Sequence, residues 1–127
     1  MTMKTDPMFL GDWTGRDSCD VLDKFQAKHA DTGGHEILFA WYVYEDYSGK
    51  AFVLTRKDGR LYEVNGGHCS CYGLEGQWEP EETTIEALTH RLNEGEMGID
   101  YSDRNAFAAE LRDFLEIGPK PVKDAKP

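Results

Sequence analysis

The sequence contains no long hydrophobic run, and its start does not follow the pattern of a secretory leader. Its longest apolar stretch, residues 37–43, is much shorter than the ~20 residues that a membrane-spanning helix needs. The opening residues, MTMKTDPMFLGDW, lack the basic start and the uninterrupted apolar core of a signal peptide. We therefore expect a soluble protein with no membrane partner and a cytoplasmic location.

Cysteine is also scarce. There are three, Cys19, Cys69 and Cys71, and the last two are separated by a single residue. An odd number with this spacing fits reduced thiols better than the paired cysteines of a small secreted scaffold. A chain of 127 residues can bury a core without disulfides. We therefore expect one domain in a reducing compartment.

Basic residues are outnumbered by acidic ones. The chain has 14 lysine and arginine residues against 24 aspartate and glutamate residues, which gives a formal net charge of −10. Residues 68–118 hold 12 of the acidic residues and 3 of the basic ones. A field of this sign repels phosphate backbones and attracts basic proteins, which argues against direct nucleic-acid binding. The alternative is that the carboxylates only keep helix surfaces hydrated.

Hydrophobic periodicity and turn residues predict three helices and three strands. The predicted helices are residues 17–30, a second that opens with the T-x-x-E pattern of Thr83 and Glu86, and a third from Ser102 to Gly118. The predicted strands are residues 36–44, 51–56 and 60–64, joined by turns at Ser48-Gly49 and Asp58-Gly59. The order α-β-β-β-α-α predicts an α+β fold, with helices packed on an antiparallel meander of three or more strands. Residues 1–118 are predicted to form a single domain and residues 119–127 a disordered tail.

The first predicted strand has apolar side chains at almost every position. Strict alternation would place Ile37 and Phe39 on one face, and Leu38, Ala40 and Tyr42 on the other. A strand that is apolar on both sides is typical of the interior of a sheet.

Residues 65–84, NGGHCSCYGLEGQWEPEETT, concentrate unusual side chains in a stretch without a helix or strand pattern. His68, Cys69 and Cys71 are soft metal ligands, and Cys19 could join them in a zinc site. Zinc sites usually use C-x2-4-C pairs, whereas the spacing here is C-x-C with the histidine directly beside the first cysteine. We therefore predict no metal and no cofactor, and keep a small zinc-binding structural or regulatory domain as the alternative.

A thiol-dependent enzyme is a third interpretation of this segment. Cys69 or Cys71 would be the nucleophile, and His68, His35 or His90 would be the base. A reactive cysteine must be stabilised as the thiolate, whereas the neighbouring glutamates favour the neutral thiol. The sequence shows no complete catalytic constellation, so we predict that the protein is not an enzyme and has no catalytic residue.

The aromatic and acidic residues of the segment fit a recognition surface for a basic protein. Aromatic anchors supply affinity and surrounding carboxylates supply orientation, and arginine-rich grooves that hold nucleic acid also accept carboxylates. The predicted partner-binding residues are Tyr47, Tyr72, Glu75, Trp78, Glu79, Glu81 and Glu82, with Tyr42 or Tyr44 beside them. A homodimer is kept as a further arrangement.

A plainer interpretation gives these residues only structural roles. Cys69 and Cys71 would be small buried residues, and Tyr72 and Trp78 would pack a loop across the sheet. Glu81 and Glu82 would then lie in the first turn of the following helix, where the helix dipole favours acidic side chains.

The stretch from Gly49 to Leu88 resembles a family of small, mostly uncharacterised proteins of bacteriophages and prophages. The shared pattern is AFVL-x-x-x-DG-x-LYEVNG followed by HCSCYGLE-x-QWEPEET. The resemblance implies an origin in a mobile element and a location in the cytoplasm of the host cell. Small acidic phage proteins commonly bind host machinery, including restriction and CRISPR complexes. The resemblance therefore implies a non-enzymatic protein that binds and modulates a host protein.

Overall fold

The computed structural model describes residues 3–27, 33–45, 48–68, 73–100 and 104–118. The strands in this part of the chain are β1 (Met8–Gly11), β2 (Glu36–Glu45), β3 (Ser48–Lys57), β4 (Arg60–His68) and β5 (Glu81–Thr83). The helices are α1 (Ser18–Phe25), α2 (Ile85–Glu94) and α3 (Ala108–Leu115). The predicted α+β fold is confirmed. The order differs from the predicted one because β1 precedes α1 and β5 precedes α2.

The chain divides into two compact units. Thr5–Thr84 form the first, which contains the whole sheet and α1, and Met1–Lys4 with Ile85–Pro127 form the second, which contains α2 and α3. A single domain over residues 1–118 stays a prediction, and the tail at 119–127 lies outside the described residues. No helix in the described ranges combines the length and the hydrophobicity that crossing a membrane requires.

The sheet has the strand order β1-β2-β3-β4-β5 and is mixed. β1 runs parallel to β2, whereas the other neighbouring strands are antiparallel. Gly11 ends β1 with a φ of +66°, and a Cβ at this position would lie 2.2 Å from the carbonyl oxygen of Tyr42. Only glycine fits this close approach of the two strands.

The hairpin between β3 and β4 follows the sequence prediction. Asp58 and Gly59 have φ values of 53° and 77°, which is the pattern of a two-residue type I′ turn. The predicted turn at Ser48-Gly49 is wrong, because both residues belong to β3 and Ser48 pairs with Glu45. Residues 46–47, between the two strands, lie outside the described residues.

A bulge in β2 changes which side chains share a face. The register with β3 shifts between Ile37 and Phe39, so that Leu38 is an extra residue. As a result, Ile37 lies in the same buried cluster as Ala40 and Tyr42, and not on the face of Phe39. Strict alternation gave the wrong face for Ile37, although β2 lies inside the sheet as predicted.

α1 covers one face of the sheet. Its N-terminus is closed by a capping box between Asp17 and Asp20, and it buries Val21 and Phe25. The helix ends at Phe25, before the predicted residue 30, because Gln26 adopts a left-handed conformation. The buried cluster of this face contains Trp13, Val21, Phe25, Ile37, Ala40, Tyr42, Ala51, Val53, Val64 and Leu74.

Both helices of the second unit start later than predicted. α2 begins at Ile85, because Thr83 is still part of β5. α3 begins at Ala108 and not near Ser102, since the carbonyl oxygen of Gly98 accepts hydrogen bonds from the N–H groups of Ala106, Phe107 and Ala108. These bonds hold the chain before Ala108 in a turn. Leu111, Phe114 and Leu115 are fully buried as the helical spacing predicted.

Candidate interaction surface

Part of the segment at residues 65–84 is more ordered than its sequence suggested. Residues 65–68 complete β4 and residues 81–83 form β5, and a further stretch of chain lies between them. Within that stretch, residues 73–80 are described and are called the acidic loop below. Four predicted residues, Cys69, Cys71, Tyr72 and Tyr47, lie outside the described residues.

Gln77 fixes the acidic loop to the edge of the sheet. Its side-chain Oε1 accepts a hydrogen bond from the N–H of Gly67 at 2.8 Å, and its Nε2 donates to the carbonyl oxygen of Gly67 at 2.7 Å. Nε2 also donates to the carbonyl oxygen of Gly73 at 2.7 Å. The amide thus pairs with β4 as the backbone of another strand would, and it closes the loop at the same time.

Two apolar side chains anchor the acidic loop to the buried cluster of the α1 face. Leu74 is 1% exposed and lies in the buried cluster of the α1 face. Trp78 packs against this cluster, with its ring 5.4 Å from that of Phe25 in an edge-on arrangement. The Nε1 of Trp78 is buried and has no hydrogen-bond partner among the described residues. Trp78 is therefore half-buried and anchors the loop as well as contributing to its surface.

His35 and Tyr62 extend the aromatic surface beside Trp78. The His35 ring lies 4.8 Å from the Tyr62 ring and 6.5 Å from the Trp78 ring, perpendicular to both within about 10°. Its Nδ1 is 2.8 Å from the hydroxyl of Thr55, which is fully buried. The sequence pointed to His35 only as a candidate base and did not point to Tyr62. The alternation of β4 around Val64 was the signal that could have placed Tyr62 on this face.

We expect His35 to titrate below its usual range. Burial disfavours the imidazolium and lowers the pKa of His35, Lys57 lowers it further, and Asp58 opposes both. Lys57→Gln should therefore raise this pKa and Asp58→Asn, which keeps a residue suited to the turn, should lower it. NMR titration of the imidazole protons measures both changes, and shifts of the same sign in the two variants would contradict this account.

The same histidine makes stability depend on pH. Because its pKa is lower in the folded chain, the unfolded chain binds more protons below about pH 6.5. The stability that neutral His35 contributes is complete above this pH and is lost as the pH falls toward the folded-state pKa.

A second group of rings surrounds His68 at the end of β4. The His68 ring lies 4.0 Å from that of Tyr44 and 6.3 Å from that of Tyr42, and its Nδ1 is buried with no partner in the described ranges. Tyr42 is only 3% exposed, so it cannot serve as a surface anchor, whereas Tyr44 is 36% exposed. Of Tyr42 and Tyr44, only Tyr44 is therefore exposed enough to be a partner-binding residue.

Glu75 is held in its charged form by its surroundings. Backbone N–H groups of Glu75 itself and of Gly73 lower the pKa of the Glu75 carboxyl, and His68 and Lys24 lower it further. The N–H of Gly73 donates to its Oε1 at 3.1 Å. Glu75 is exposed, and its carboxylate is oriented by the loop backbone.

Glu81 and Glu82 lie in β5 and not in the first turn of a helix. Glu82 pairs with Tyr62 across the strands, and Glu81 pairs with Glu63. Since neighbouring residues of a strand point to opposite faces, Glu82 shares the face of Tyr62, and Glu81 lies on the other face. Glu82 also lies 3.6 Å from Arg60, and both side chains are more than half exposed. Glu81 and Glu82, both predicted to bind the partner, are therefore divided between two faces.

The described residues contain no group of three or more potential ligands arranged to hold a metal ion. Cys19 is an exposed free thiol on α1, and two of the four candidate zinc ligands lie outside the described ranges. His90, the remaining candidate base, is exposed on α2. The arrangement that the structure does describe is an anchored loop with aromatic rings and carboxylates at its surface.

Comparison with protein-family models, with curated proteins and with solved structures finds no match to this chain. Its function is therefore inferred from the contacts, the burial and the charge of its own residues. Three features count most for this purpose: the tethered backbone of the acidic loop, the rings beside it, and the exposed carboxylates.

Proposed function

We propose that the protein is a non-enzymatic protein of a phage or another mobile element that binds a basic surface of a host protein and inhibits it. The observation that carries this proposal is that exposed carboxylates sit on a loop held by three hydrogen bonds of Gln77 and by buried Leu74. A loop that is ordered before binding loses little conformational entropy when a partner docks. Such a surface can bind tightly without a catalytic centre.

The charge of this surface favours a basic partner. The side chains of Glu79 and Glu81 are exposed and form no ion pair or hydrogen bond with the described residues. Glu75 is kept ionised, and Glu82 has only an exposed contact with Arg60. The carboxylates of Glu75, Glu79 and Glu82 can replace phosphate groups in an arginine-rich groove. The target class that we propose is a nucleic-acid-handling defence protein, such as a CRISPR or restriction complex.

The partner is proposed to dock on the face of the sheet that carries α1. Trp78, Tyr62 and His35 lie together on this face and supply rings of the kind that dominate binding energy at interfaces. Glu82 shares the face, and Glu81 does not. Glu81 and Glu82 are adjacent, acidic and exposed. Substituting each in turn therefore compares a charge on the proposed docking face with the same charge on the opposite face.

We expect the aromatic residue Trp78 and the acidic residue Glu82 to affect different rate constants of binding. Trp78→Ala should raise the dissociation rate by about tenfold or more, because an aromatic anchor determines the lifetime of a complex. Glu82→Lys should lower the association rate several-fold at low salt, and the difference should shrink as the Debye length falls to about 8 Å at 0.15 M. Surface plasmon resonance over a salt series, on the partner captured from host lysate, measures both effects.

Glu81→Lys is the matched control for this experiment. It makes the same charge change one residue away, on the opposite face, so it should alter the association rate less than Glu82→Lys does. Each variant is first checked for folding by circular dichroism. Nucleic acid that the partner binds should displace the protein. Binding that is independent of salt and unaffected by all three substitutions would rule out the acidic loop and β5 as the interface.

A further inference from the structure

The second compact unit contains a cleft that the sequence did not suggest. Its volume is about 390 Å³, and it is lined by Lys4, Ala109, Arg112, Asp113, Glu116 and Gly118. None of these residues belongs to the acidic loop or to the sheet. The cleft is at the small end of the range of ligand-binding cavities, which starts at roughly 300 Å³.

The unusual feature of the cleft is a buried cation. Arg112 is only 8% exposed, and no carboxylate of the described residues lies within ion-pair distance of its guanidinium. Arginine is almost never buried without a paired anion, because removing its charge from water is costly. Burial accordingly lowers the pKa of Arg112.

The guanidinium also has hydrogen-bonding capacity left. Its Nη1 donates to the carbonyl oxygen of Gly118 at 2.8 Å, and its Nη2 donates to Oδ1 of Asn93 on α2. These two bonds use two of the five N–H groups that an arginine carries. They fix the plane of the guanidinium against α2 and the end of α3, so the remaining donors have a defined direction.

Lys4 places a second positive charge at the cleft. Its backbone N–H donates to the carbonyl oxygen of Phe114 at 2.8 Å, which fixes this part of the chain beside α3. Its side-chain Nζ lies 3.7 Å from Asp113, and the two side chains are 45% and 65% exposed. An exposed ion pair of this kind contributes little and exchanges readily. Lys4 can therefore turn toward an anion without a large loss of stability.

We propose that this cleft binds a small oxyanion, a carboxylate or phosphate group, between the guanidinium of Arg112 and the ammonium group of Lys4. A planar guanidinium and an oxyanion form charge-assisted hydrogen bonds of complementary geometry. Asp113 and Glu116 also line the cleft and oppose an anion, so the site favours one small group over a highly charged polyanion. None of the residues that form this anion site belongs to the proposed partner-binding surface.

The test uses inorganic phosphate and acetate as probes on the full chain, with sodium chloride adjusted to keep the ionic strength constant. Two-dimensional ¹H–¹⁵N NMR follows the amides of the cleft residues during each titration. We expect saturable shifts confined to the cleft, with a dissociation constant on the order of 1 mM. Lys4→Gln should weaken binding about fivefold to tenfold, since a charged hydrogen bond is lost.

Lys50→Gln is the control, because Lys50 is an exposed lysine on β3 in the other unit and its loss makes the same charge change. Arg112→Lys, which keeps the charge but loses the planar fork, should also weaken binding if the variant folds. Saturable binding of either probe that is weakened in Lys4→Gln and unchanged in Lys50→Gln supports the site. Shifts that do not saturate with either probe, or that are equal in the two lysine variants, overturn it.

Discussion

Leu74→Ala is expected to lower the free energy of unfolding by about 3 kcal/mol, within the range of roughly 2–5 kcal/mol for buried leucines. Leu74 is 1% exposed, and it packs closely over Gly66, where a Cβ would come within 2.9 Å of its Cδ2. Truncation leaves a cavity in the cluster that supports the acidic loop. Denaturation in urea, followed by tryptophan fluorescence, measures the loss.

Leu22→Ala provides the comparison, because Leu22 is a half-buried leucine of α1 that packs at the margin of the same cluster. The same atoms are removed, but less area returns to water, so the loss should be clearly smaller. Equal losses in the two variants would mean that Leu74 does not anchor the loop. Leu74→Ala should also weaken binding of the proposed partner, since the loop would have to become ordered on docking.

Gln77→Ala is expected to lower the free energy of unfolding by about 2 kcal/mol, because three hydrogen bonds are removed and each contributes on the order of 0.5–1.5 kcal/mol. The effect should also be local. Amide hydrogen exchange at Gly67 and Gly73 should accelerate more than exchange in the β3–β4 hairpin. Mass spectrometry after exchange in deuterated buffer locates this change along the chain.

Gln77→Glu keeps the hydrogen-bond acceptor of the side chain and removes its donor, so it tests the two roles of the amide separately. The carboxylate can still accept the hydrogen bond from the N–H of Gly67, but it places negative charge against the carbonyl oxygens of Gly67 and Gly73. We expect this variant to be at least as destabilised as Gln77→Ala at neutral pH and to recover as acid protonates the carboxylate. Wild-type stability in both variants would show that the clamp contributes nothing.

Elements whose conformation depends on a few neighbouring residues could be predicted from local patterns in the sequence. Asp58-Gly59 specifies its turn through φ values that few other residues adopt, and Asp17 closes α1 through bonds within one turn. The fully buried Leu111, Phe114 and Leu115 were recognised by helical spacing alone. In each case the interaction spans fewer than eight residues.

Contacts between distant segments could not be predicted in this way. β1 has four residues and no alternation, and it forms because its backbone pairs with β2 about thirty residues later. Glu81 and Glu82 resembled a helix start, but pairing with β4 makes them a strand. The bonds of Gln77 to Gly67 leave no periodic signal, although glutamine carries the donor and acceptor that they require.

The position of Gln77 also bears on how the sheet ends. Among the described residues, β5 pairs only with Leu61–Glu63, so without Gln77 the backbone groups of the later β4 residues would be open to an extended chain that approached. Such edges are where β proteins recruit further strands and begin to aggregate. At Gly67 the side-chain amide already occupies both the N–H and the C=O group. The residue that holds the acidic loop thus also blocks growth of the sheet into a larger assembly at this point.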